Sequence, residues 1–194
     1  MKNAINLVLF LVLSFSIQAQ TTWKVDPSHS KLGFSVSHLT ISEVDGEFTK
    51  FDGTLKSSKE DFLDAQISFS ANVSSINTGN TSRDQHLNAE DFFYAEKHPK
   101  ITFESTSFKK KGNGKYELKG KLTMRGVTKD VTFEVKHGGV IKDAYGNTRA
   151  GFSAKATVNR IQYGVAWNAK TEHGGWTVGE EVELNIKVEF IQQK

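Results

Sequence analysis

The sequence predicts an all-β protein: an extended eight-stranded antiparallel barrel with one short helix. Three observations predict it. Apolar and polar residues alternate with a period of two in run after run from Leu32 to Phe190, the pattern of strands with one wet and one buried face. Glycine-containing turn pairs separate the runs. Cysteine is absent from all 194 residues, so a packed interior and not a disulfide framework must hold the fold. About eight such strands in a meander favour closure, which removes exposed edges; a β-sandwich is the competing architecture.

In chain order, the first element is a segment set apart from the fold. Met1-Lys2-Asn3 carries one positive charge and is followed by the apolar run Leu7–Leu13 and by small residues ending at Ile17-Gln18-Ala19. Seven unbroken apolar residues form a secretion-signal core and fall short of the roughly 20 that span a bilayer. Residues 1–19 are therefore expected to be a cleaved signal peptide. Residues 20–194 are expected to form a single exported domain that is not integral to a membrane.

Leu32, Phe34, Val36 and His38 share one face of the first alternating run. Ile67-Phe69-Ala71-Val73 repeats the period, as do Ile101-Phe103, Leu118-Gly120-Leu122-Met124, Val131-Phe133-Val135, Phe152-Ala154-Ala156-Val158 and Val182 through Phe190. Gly112-Asn113-Gly114 contains the Asn-Gly pair that accepts positive φ, so 100–110 and 115–124 should form a hairpin. Pro27 and Pro99 are placed at strand entrances, where a missing N–H is tolerated. One stretch, Thr81 to Phe93, breaks the period. It begins with capping residues and sets Leu87 near Phe92 or Phe93, which reads as a short amphipathic helix. Such a helix either plugs one end of a barrel or acts as a lid over a ligand entrance.

Composition and motifs narrow the chemistry. A formal net charge of +3 gives no basic footprint for nucleic acid. The six histidines show no His-Glu-x-x-His pattern and no metal-ligand spacing, and Gly-x-Ser-x-Gly is absent. No catalytic residue, metal or cofactor is expected. Two features point toward a ligand. Ala71, Gly120, Ala154 and Ala156 lie on inward faces among phenylalanines, so the interior either leaves room for one small ligand or is a packed core. Arg160 continues the face of Phe152 to Val158, so in unbroken register its guanidinium points inward and needs a partner. That partner is either a structural acid or the head of a ligand. His38 ends the inward face of its own run in the same way.

Several stretches together resemble the YceI-like (polyisoprenoid-binding, lipocalin-like) family. They are Trp23 to Ser30, Phe34-Ser35-Val36-Ser37-His38-Leu39, Gly46-Glu47-Phe48 with Phe51-Asp52-Gly53, Asp84-Gln85-His86-Leu87 leading to Asp91-Phe92-Phe93, and His98 to Phe103. Gly120 to Lys129, Asn159-Arg160 with Tyr163-Gly164, and Val178 to Val182 complete the set. The resemblance implies a lipocalin-like barrel exported to the periplasm that encloses a polyisoprenoid lipid, an isoprenoid quinone or a polyprenyl phosphate, without catalysing a reaction. Phe34, Val36, Phe69, Phe103, Phe133 and Phe152 would line the tunnel, with Arg160 and His38 near a polar end. Asp130 stands where the family commonly has proline, and Gln162 where an acid usually precedes the aromatic, which bears on the head group. An enzyme acting on an envelope lipid through His or Asp at the mouth, and a stress or interaction protein with a filled barrel, stay open as alternatives. The polar outer faces leave room for at most a modest homodimer interface.

Overall fold

The computed structural model describes residues 20–194 with the exception of His173; the signal peptide expected over 1–19 lies outside the described residues. The architecture is all-β and antiparallel, with one short helix among the described residues. The eight staves are long strands, and the first three are each made of two pieces. Strands β1 (Thr21–Val25) and β2 (Lys31–His38) are separated by a 3₁₀ turn at Pro27–His29. Strands β3 (Ser42–Phe48) and β4 (Phe51–Ser57) are separated at Thr49-Lys50, and β5 (Gln66–Asn72) and β6 (Ile76–Asn77) by a second 3₁₀ turn. After helix α1 (Thr81–Asn88) come five unbroken staves: β7 (Lys100–Gly112), β8 (Lys115–Met124), β9 (Val127–Lys142), β10 (Thr148–Asn159) and β11 (Val178–Gln192).

Neighbours along the chain are neighbours in the barrel. The order β1-β4-β5-β7-β8-β9-β10-β11 closes through β1 against β11, while the first half of β11 carries β2, β3 and β6 beside it. Long β11 therefore serves both pieces of the first stave. The kink between those pieces has a specific lock. Asp26 accepts from the Ser28 N–H, Pro27 fits the start of the turn, and Arg149 reaches Asp26 at 2.7 Å and Asp143 at 2.6 Å while also bonding Glu189. Arg149 thereby ties three segments together: the kink, the β9–β10 turn and the β11 strand. The Arg149 guanidinium, and then His29, hold the Asp26 carboxyl at about 2 against an ordinary 3.8. Pro27 thus sits at a turn inside a bent stave; Pro99 does precede a strand, β7.

Helix α1 is shorter than the 81–93 stretch and is not amphipathic. It starts at the Asn80 cap, which accepts from the Arg83 N–H at 3.0 Å, ends at Asn88, and buries none of its residues. The two phenylalanines expected on its face follow it in tight turns, where Phe92 is 5% exposed. The helix contributes Leu87, half-buried, and the turns contribute the plug.

The two barrel ends differ. At the end where β4 meets β5, Phe62 (1% exposed) packs edge-on to Trp23, His137 and Phe152 at ring distances of 5.5, 5.3 and 5.4 Å. Tyr116, stacked on Phe108 at 4.7 Å, completes this plug. Burial holds the His137 imidazole below its usual value, so it packs here as a neutral ring. The opposite end holds α1, the β2–β3 hairpin, the Arg125-Gly126 turn and the segment 160–178. Outside, the faces between carry charge at Lys119, Lys121, Glu134, Lys136, Lys155 and Lys187, all exposed. A barrel spanning a bilayer turns its apolar face outward; this one turns it inward. No helix among the described residues is long and apolar enough to cross a membrane.

Candidate ligand cavity

The inward faces enclose a cavity of about 210 Å³. By the measure that a cavity of about 150 Å³ holds one benzene, this is room for about eight groups the size of a methylene. Among the described residues, Thr102 and Arg160 contribute the only polar side chains to its lining. Toward the plug end the lining is sealed: Leu55, Phe108, Val135 and Phe190 are all buried. Toward the helix end it stays accessible, with Phe34, Val36, Phe48, Phe93, Val178 and Leu184 half-buried. The cavity is a blind tube.

What keeps it from filling is the seating of the rings. Phe34 of β2 lies opposite Gly46 of β3, and Phe69 of β5 opposite Gly53 of β4. A Cβ on Gly46 would come within 2.9 Å of three ring atoms of Phe34; on Gly53 it would stand 2.6 Å from Cδ1 and Cζ of Phe69. Phe103 covers Gly120 in the same manner. Each ring is folded onto the bare backbone of the next strand instead of projecting into the lumen. This aromatic cover of a glycine completes the wall and leaves space along the axis.

Seven of the eight residues expected at a ligand site line this cavity: Phe34, Val36, Phe69, Phe103, Phe133, Phe152 and Arg160. His38 does not. It is the last residue of β2, paired with Ser42 and Val178 at the hairpin, one pleat beyond the lining, which ends on that strand at Val36. Phe48, which the sequence reading did not assign to the lining, also lines the cavity; Ser42–Phe48 has too few apolar residues to show a period. Trp167 at the mouth lies in an irregular segment that has no period to read.

Arg160 faces the cavity by a different route from the one expected. β10 ends at Asn159, whose side chain accepts from the Ile161 and Gln162 N–H groups and so begins a 3₁₀ turn over Arg160–Tyr163. The register breaks before Arg160. Its guanidinium, 4% exposed, forms no ion pair among the described residues; Nε donates to the Gly179 carbonyl at 2.7 Å, Nη1 to Val165 and Trp167 at 2.7 and 2.9 Å, and Nη2 to Val178 at 3.2 Å. Four of its five N–H groups are committed to backbone, and burial pushes its pKa below the ordinary arginine value. The residue staples the segment 165–179 over the barrel end. Gln162 is exposed on the outer side of the turn, with Arg160 already satisfied without it.

Above the mouth, Phe92, His86 and Trp167 form a ring cluster with centroid distances of 4.8–5.1 Å, and His86 Nε2 lies 2.9 Å from Asp91. The pair is half exposed, and its imidazole edge rests on Phe92 and Trp167. Among the described residues, Asp26, His29 and Glu189 bring three potential metal-ligand atoms within 4.8 Å of one another. Arg149 already bonds both carboxylates there, so the cationic place is taken.

Comparison with known proteins agrees with this geometry. The family description "YceI-like domain" matches residues 23–190. Protein YceI of Escherichia coli O6:H1 is 36% identical over 198 residues, covering all of both chains. The crystal structure of the Campylobacter jejuni YCEI protein superposes with a TM-score of 0.70 at 31% identity, covering 81% of this chain and 90% of that one. A domain from Saccharophagus degradans described as polyisoprenoid-binding shares the fold, with a TM-score of 0.63 at 12% identity over 88% of this chain and 98% of its own. The chain belongs to the YceI-like family.

Proposed function

We propose that this protein is an exported, periplasmic carrier that holds the apolar chain of a polyisoprenoid lipid, an isoprenoid quinone or a polyprenyl phosphate, and performs no chemical step on it. The observation that carries the reading is the blind apolar cavity, which has two polar side chains in its lining and an accessible end. The family relationship and the shared fold of a polyisoprenoid-binding domain point the same way. Phe34, Val36, Phe69, Phe103, Phe133 and Phe152 form the chain-binding wall. Room for about eight carbon-sized groups corresponds to a buried stretch of one or two five-carbon units, so a longer chain extends out of the mouth. Each buried methylene contributes about 0.8 kcal/mol before ordering costs. Head-group recognition is slight: Arg160 retains one N–H, on Nη2, for an oxygen of the ligand.

The test is lipid extraction and mass spectrometry of protein purified from its native envelope, with native mass spectrometry of the intact complex. A co-purified isoprenoid is expected. Protein that emerges empty and takes up no added ubiquinone overturns the reading.

A further inference from the structure

The helix end carries an exposed apolar patch that the cavity does not account for. At the tip of the β2–β3 hairpin, Ile41 is 84% and Leu39 37% exposed, and Trp176 beside them is 48% exposed. Backbone bonds hold these residues as one surface: Leu39 N–H donates to Thr177 at 2.9 Å, Thr177 N–H donates to Ala169 at 2.9 Å, and Lys170 and Trp176 form a β-bridge. The Lys170 ammonium sits 5.7 Å from the centre of the Trp176 ring. The turn itself is built from residues that disfavour it. Leu39 and Thr40 have φ of 53° and 62°, a left-handed conformation that is an outlier for β-branched threonine and costs of order 1–3 kcal/mol.

We propose that this tip is a docking surface for a lipid bilayer, entered by Leu39, Ile41 and Trp176. The patch borders the accessible end of the cavity, since His38, one residue before Leu39, pairs with the cavity residue Val178. Three side chains can bury only a few hundred Å², whereas a stable second copy or protein partner needs about 1,000 Å². A bilayer sets no such minimum, because each inserted side chain contributes separately. Tryptophan with a neighbouring lysine suits the level of the head groups. Lys170, Glu43 and Glu172 place both signs of charge around the patch, so docking depends on insertion and not on anionic lipid. The inference rests on the carrier reading for its purpose: an insoluble chain would pass between bilayer and cavity without crossing water.

The experiment is flotation of the protein spanning 20–194 with phosphatidylcholine vesicles, with and without phosphatidylglycerol, read beside retention of ubiquinone by the same samples. The native protein is expected to float equally with both compositions. Ile41→Asp should lower the bound fraction about tenfold or more and Trp176→Ser should lower it too, each keeping its ubiquinone. Ile141→Asp, at the opposite end where Ile141 is 69% exposed, should change nothing. Native protein that does not float overturns the proposal, as does flotation unaffected by both Ile41→Asp and Trp176→Ser, or lost in Ile141→Asp. A dimer in sedimentation that Ile41→Asp dissociates assigns the patch to a second copy and overturns it equally. Flotation without ubiquinone retention in the native protein refutes the carrier reading alone; retention without flotation refutes docking alone.

Discussion

Replacing Gly46 with alanine tests whether the glycine seats create the cavity. The backbone there is not in the left-handed region, so the added methyl brings no conformational strain of its own. Its cost is steric. A Cβ within 2.9 Å of three Phe34 ring atoms must be relieved to the usual 3.5–4.0 Å carbon separation, which moves the ring by about 1 Å. The free direction is the lumen, because Phe34 lines the cavity with the β3 strand behind it. The displaced ring takes the space of one or two methylene-sized groups out of about eight. Overpacking of this kind costs about 1–3 kcal/mol, partly offset by the roughly 0.5–1 kcal/mol that alanine gains over glycine in a strand. Thermal unfolding should therefore fall by a few degrees, at about 2–4 °C per kcal/mol for a chain of this size. Occupancy by ubiquinone in native mass spectrometry should fall with it. Adding Phe34→Leu to Gly46→Ala removes the offending ring and should restore occupancy, a coupling that independent sites would not show. Unchanged occupancy and an unchanged or raised melting temperature in Gly46→Ala would falsify the idea that Phe34 is held out of the lumen by its glycine.

Other consequences follow from the clamp, the staple and the plug. Arg160→Met strips donors from four backbone carbonyls and should cost at least about 2 kcal/mol, with new protease cleavage between 164 and 178; Arg160→Lys, with three donors, should fall between. The Asp26 carboxyl is depressed in the folded state, so its contribution to stability is complete above the ordinary 3.8 and is lost as pH falls through about 2. Melting temperature should drop across that interval, and Arg149→Met should flatten the drop. Phe62→Ala should cost about 3–5 kcal/mol as a core truncation and, in molecules that remain folded, lengthen the cavity. Ubiquinones of longer chain should then gain affinity over short ones, a shift that simple loss of stability would not produce.

The strands that alternate cleanly were legible as such. The hairpin of β7 and β8 turns where Gly112-Asn113-Gly114 indicates, and Val182 to Phe190 lies within β11. The two-piece staves were not legible at their weak halves, since Ser42-Glu43-Val44-Asp45-Gly46 has one large apolar residue and draws its stability from β2 on one side. Helix α1 was read too long because apolar spacing cannot distinguish a continued helix from turns that return to the same wall. Arg160 borders the cavity from a 3₁₀ turn and not from the expected strand register, because nothing in the alternation announces that Asn159 will cap a turn. Whether the interior is full or hollow was undecidable from composition. Glycine opposite phenylalanine is a relation between strands, and it becomes visible only once Gly46 is known to face Phe34.

On the proposed carrier role, the buried ring cluster of Trp23, Phe62 and Tyr116 also sets a direction of traffic. With one end of the tube stopped, a guest chain goes in tail first and comes out head first through the same opening. Donor and acceptor must therefore meet the protein at one face in turn and never at both faces at once. Between the two visits such a carrier would have to let go, turn round and find its next partner, working as a bucket and not as a pipe.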